Sequence, residues 1–152
     1  MCASIHEAGH AAVYLALGED VLWVKIFENK WGVWLGETKP IYKNIKFVGG
    51  EIVDRDSLAL ILTAVYAGYY AVYAFLNYEK HTHALGDLEN ALNFTDGWYH
   101  KIPEFESFVY NTQKGSFKII NEHSREIKNL AQALEQRLEL KNEQIRKIFY
   151  GA

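Results

Sequence analysis

The sequence predicts an α+β domain that is mainly helical, with a small β-hairpin after the first helix. Three observations carry that prediction. Apolar residues recur at helical spacing near both ends and in the middle of the chain. A single stretch, Val21–Phe27 (VLWVKIF), is rich in β-branched and aromatic residues. The composition, 49% hydrophobic and 23% charged over 152 residues, suits one domain with its own core.

Residues 4–17 read as an apolar-rich helix with Ser4 as its N-cap and Gly18 as its stop. Glu19-Asp20 turn the chain into the strand Val21–Phe27. Glu28-Asn29-Lys30 is the hairpin turn, and the second strand is expected near Trp31–Glu37. Within it, Gly32 and Gly36 suggest a bulge or a close backbone approach. Ile45, Phe47, Ile52 and Val53, placed around Gly49-Gly50, suggest a short extra strand. Asp54 or Asp56 caps a long helix that runs to about Asn77. Tyr78–Leu85 reads as a polar loop, and Gly86-Asp87 opens a helix through about Phe94. Residues 95–115 are aromatic and turn-rich, with a helix expected from Glu104 to Thr112. In the final third, Ile119, Ile120, Ile127, Leu130, Ala131, Leu134 and Leu138 follow helical spacing. Asn142 caps a last short helix carrying Ile145 and Ile148. No repeat, low-complexity tract or linker divides residues 1–152, so a single domain is expected.

Charge and composition narrow the function classes. The net charge is -3 and the basic residues are dispersed, which argues against a nucleic-acid surface. The one cysteine, Cys2, excludes an intrachain disulfide and fits a reducing compartment. No basic region followed by an apolar run opens the sequence, so a cytoplasmic location is expected. Residues 57–78 carry no charge and are numerous enough to span a bilayer. Tyr66, Tyr69, Tyr70 and Tyr73 sit away from the ends, where a membrane favours tyrosine. The segment is therefore read as a core helix, with some tyrosines available to a partner subunit.

The chemistry concentrates in His6-Glu7-Ala8-Gly9-His10. Histidines four apart lie on one face of a helix, where both reach one zinc ion. The intervening glutamate falls beside the metal, placed to take a proton from a water attacking a peptide carbonyl. A catalytic zinc needs a third protein ligand, and His81, His83, Asp87 and Glu89 are the candidates. Imidazole suits zinc, whereas Asp87 has the rigid support of a helix start, and the residues alone leave the choice open. The stretch Trp31–Gly36, with Gly32, Val33 and Trp34 at its centre, is a candidate edge for binding an extended peptide.

The sequence HEAGHA at 6–11 resembles the zinc motif in the peptidase domain of FtsH-type ATP-dependent proteases. Val24-Lys25-Ile26 and Trp31-Gly32-Val33-Trp34 are similar to the strand pair that follows it. Ala67-Gly68 falls where that family has Ala-Gly-Arg-Ala-Ala-Glu, and Gly86-Asp87 with Ala91 resembles the segment that supplies its third ligand. Asn129-Leu130-Ala131, Leu134 and Glu143-Gln144-Ile145 resemble its closing helices. The resemblance implies a zincin-like fold and a zinc ion held by His6, His10 and Asp87, with Glu7 as general base. It also implies peptides or unfolded protein segments as substrates. The sequence contains no phosphate-binding glycine-rich loop, so any ATP-driven unfolding is expected from a separate ATPase, and homo-oligomerisation is the other partner expectation. The family's arginine and second glutamate are replaced here by Tyr69 and Val72. That departure motivates an alternative, a zinc-binding scaffold that acts through protein–protein contact.

Overall fold

The computed structural model describes residues 2–77 and 83–151, with the backbone alone for 83–85; His81 and the rest of 78–82 lie outside the described residues. Among the described residues the order is α1 (Cys2–Ala16), β1 (Asp20–Glu28), β2 (Trp34–Ile41), β3 (Phe47–Val48), β4 (Glu51–Ile52), α2 (Arg55–Val65) and α3 (Ala67–Leu76). Then come α4 (His83–Thr95), α5 (Phe105–Glu122), α6 (Ser124–Arg137), β5 (Glu139–Lys141) and α7 (Asn142–Tyr150). The architecture is α+β, with helices gathered around α1 and small antiparallel sheets.

α1 is the central element. Its Ala3, Ala8, Ala11, Ala12 and Val13 are buried, and so are its polar residues Ser4, His6, Glu7 and His10. Small side chains let α3, α6 and the sheet approach the helix from several sides. The helix starts two residues before the expected cap. Ser4 is therefore internal, and its hydroxyl donates to Glu135 Oε1 of α6 at 2.8 Å. Gly18, at φ +86°, supplies the expected stop.

β1 is the middle strand of the main sheet, ordered β2-β1-β5. The hairpin loop is longer than Glu28-Asn29-Lys30, because the Asn29 side chain accepts the N–H groups of Trp31 (2.9 Å) and Val33 (3.0 Å). Gly32, at φ +77°, sits inside that loop, so the bulge expected around Gly32 or Gly36 falls elsewhere. It lies in β1, between Val21 and Trp23. The extra strand around Gly49-Gly50 is a minimal hairpin, β3 with β4. Before it, the buried Glu19 carboxylate accepts backbone N–H groups from Lys43, Asn44 (2.9 Å) and Ile45 (3.1 Å), pinning the chain that leaves β2.

The long uncharged helix is two segments meeting at Tyr66. Asp54 is its cap, accepting Ser57 N–H at 2.7 Å, and Asn77, at φ +55°, ends it. By length and composition Arg55–Leu76 is apolar enough to cross a membrane. In this fold 56% of its apolar window is buried inside the protein, where Leu58, Ile61 and Leu62 are fully enclosed. α4 begins one turn earlier than Gly86-Asp87. The apolar spacing from Ile119 to Leu138 spans two helices, α5 and α6, separated at His123, and α5 already starts at Phe105. β5 pairs with β1 through Val24 and Leu140, and Leu140 is fully buried. Lys141 occupies the N-cap of α7. The Asn142 amide instead donates to Asp20 Oδ1 (2.8 Å) and Val21 O (2.7 Å), fastening α7 to β1.

Leu134 of α6 is fully buried, so Leu134→Ala lowers unfolding free energy by ~2–5 kcal/mol in urea titrations. Leu92 is 71% exposed, and Leu92→Ala changes it by at most ~0.5 kcal/mol.

Candidate metal centre

Helical spacing brings His6, Glu7 and His10 to one side of α1, and close packing of α3 holds them there. A Cβ on Gly9 would lie 2.5 Å from Ala71 Cβ and 2.9 Å from the Ala67 carbonyl oxygen. A Cβ on Gly68 would overlap the His6 ring and lie 2.6 Å from His10 Nε2. Both glycines are required for space, and the contact between α1 and α3 runs directly under the two imidazoles.

Asp87 reaches the same point from the second turn of α4. Its Oδ2 lies 2.8 Å from His6 Nε2 and 3.0 Å from His10 Nε2, and the two Nε2 atoms are 3.1 Å apart. His10 Nδ1 is 2.8 Å from the carbonyl oxygen of Ala64, in the last turn of α2. A carbonyl only accepts, so Nδ1 carries the hydrogen and the neutral ring turns the Nε2 lone pair toward His6 and Asp87. Acceptors facing one another at 3 Å need a proton or a cation between them. The residues therefore fit a metal ion: two imidazole nitrogens and a carboxylate oxygen converge, one imidazole being oriented from behind by a carbonyl. Tetrahedral coordination with bonds of about 2.0–2.2 Å spaces ligand atoms about 3.3–3.5 Å apart, so small rotations open the cluster enough.

The electrostatics agree with that chemistry. Burial opposes protonation of His10, but the Asp87 carboxylate, with Glu7 and the Ala64 carbonyl, raises its pKa to about 9. Burial alone would raise Asp87, yet His10 and hydrogen bonds from both histidines hold it well below the usual carboxylate range. Burial pushes Glu7 up to about 7, partly offset by His10 and by a hydrogen bond from Thr38.

Glu7 stands beside the cluster, with Oε1 3.9 Å from His6 Nε2. Thr38 Oγ1 donates to its Oε2 at 2.5 Å, and Gly36 lies against its Cγ. These groups line a cleft of about 500 Å³, whose walls include Tyr14, Tyr42 and Phe94 beside the Leu35–Thr38 stretch of β2. Gly32 and Val33 are exposed in the hairpin loop and Trp34 begins β2; none of the three lines the cleft. Glu89 is exposed on α4 and outside the ligand group, and His83 lies on the α4 backbone. Val72 is fully buried, and His10 takes its support from Ala64. Sequence reasoning missed Thr38, Ala64 and Gly68. Only Gly68 left a trace, in the Ala67-Gly68 pair.

Titration of the metal-free protein with Zn²⁺ in a calorimeter gives one site per chain, and Asp87→Ala removes it. His10 holds its proton below about pH 9 in the metal-free state, and a metal takes the neutral ring. Binding at pH 7 thus releases about one proton, read from heats in buffers of different ionisation enthalpy, and apparent affinity climbs with pH until about 9. Compared with known proteins, the chain matches no family model and no curated protein.

Proposed function

We propose that the protein is a zinc-dependent metallopeptidase with a zincin-like fold, similar to the FtsH-type peptidase domain, that hydrolyses internal bonds of peptides or unfolded protein segments. The observation that supports this best is Glu7. A buried carboxylate sits beside a His-His-Asp ligand group, inside a cleft, with one oxygen facing the ligands. Two imidazoles and one carboxylate are a common catalytic zinc set, leaving a fourth position for water or substrate. Zinc, when bound there, supplies a lowered water pKa and a positive centre for the substrate carbonyl oxygen.

The chain's own residues do the remaining work. His6, His10 and Asp87 hold the ion, and Ala64 keeps His10 in the tautomer that presents Nε2. Glu7 takes the proton of the attacking water and passes it to the leaving amide nitrogen. A pKa of about 7 suits both tasks near neutral pH. β2 is the sheet edge on the cleft side, so an extended peptide can add to it as a further strand. A separate ATPase would supply unfolded substrate to this cleft.

Val72, apolar where the resembled family has an acid, favours a second reading, a zinc-binding scaffold without hydrolytic activity. Glu7→Gln separates the two. For an enzyme, the variant keeps its zinc and loses at least ~100-fold in kcat on a fluorogenic peptide library. A zinc-loaded wild type that cleaves nothing in that library establishes the scaffold.

A further inference from the structure

The two oxygens of Glu7 have different surroundings, and the difference comes from β2. Val24 and Ile26 of β1 are buried and face the core. Thr38 and Gly36 are their direct antiparallel partners, so both share that inward face. From there Thr38 Oγ1 donates to Glu7 Oε2 at 2.5 Å. Gly36 closes the other side: a Cβ there would overlap Glu7 Cγ and lie 3.0 Å from Cδ and 3.1 Å from Oε1. A register slip of one residue would replace Thr38 by Glu37 or Lys39 and put a charge against the carboxylate.

Resting on the metallopeptidase reading, we propose that Thr38 is a positioning residue. It anchors Oε2 of Glu7, and Gly36 admits the carboxylate, so that Oε1 alone faces the ligand group and carries the proton. The strand on whose edge a peptide would add is therefore the same strand that aims the base. Substrate pairing and base orientation share one rigid element.

The test joins spectroscopy to kinetics. In ¹³C spectra of protein labelled at glutamate side-chain carboxyls, the Glu7 resonance is identified by its loss in Glu7→Gln. It moves in Thr38→Val, in the metal-free and the zinc-loaded protein alike, and returns in Thr38→Ser. In hydrolysis of a cleaved peptide, Thr38→Val lowers kcat ~10–100-fold with little change in KM and with zinc occupancy retained, and Thr38→Ser restores most of it. Thr38→Ala replaces the valine variant if valine is not accommodated. An unmoved Glu7 resonance, or a wild-type kcat in a folded protein without the hydroxyl, overturns the proposal. If the wild type cleaves no peptide, the metallopeptidase reading fails by itself, while the resonance still decides whether Thr38 anchors Oε2.

Discussion

The close contact of α1 with α3 is the constraint on which the rest of the structure depends. Gly9 meets Ala67 and Ala71, and Gly68 meets the two imidazoles, at separations that leave no room for a methyl group. That contact fixes the depth at which His6 and His10 lie. It also places Ala64, just before the Tyr66 junction, against His10. Had α2 and α3 stood further out, the ligand pair would face solvent and His10 would lose its supporting carbonyl. The alanine-rich character of α1 follows from the same need, since its neighbours approach on several sides and the helix can carry little bulk.

Burying two histidines and two acids is costly unless each is compensated. Compensation here is mutual. Asp87 favours the charged form of His10, both histidines favour the carboxylate of Asp87, and Glu7 is held by Thr38. The cluster is thus a proton-bridged set in the absence of metal and a ligand set in its presence. Each state uses the same three atoms.

Where a physical signal was local, it could be read from the chain. His-Glu-x-x-His placed three side chains on one face of α1, and Asp54 and Gly18 marked boundaries through ordinary capping chemistry. Gly36 was readable as a close approach, although the partner, Glu7, was not. Other features depend on distant partners. The break at His123 carries no glycine or proline, and the apolar spacing from Ile119 to Leu138 continues across it, so nothing local marks the boundary between α5 and α6. β5 has only three residues, too few for a period, and its strand character comes from pairing with β1. Asn142 had the right residue type for a cap, but Asp20 and Val21 compete for its amide. Asp87 illustrates the intermediate case: its chemistry left it among four candidates, resemblance singled it out, and α4 carries it to the histidines.

The pairing of β1 with β5 has a kinetic consequence. Trp23 aligns with Lys141, and Ile26 N–H bonds the carbonyl of Leu138 at 2.8 Å, so the middle strand is completed by residues from the far end of the sequence. Closing so long a loop is entropically expensive and comes late in folding. Until then the Val24 edge of β1 is open, although α1 and the β1–β2 hairpin are already encoded upstream. During synthesis the nascent chain carries a hairpin with an unpaired inner edge until residues 139–141 emerge, and that edge is where misassembly between chains would begin.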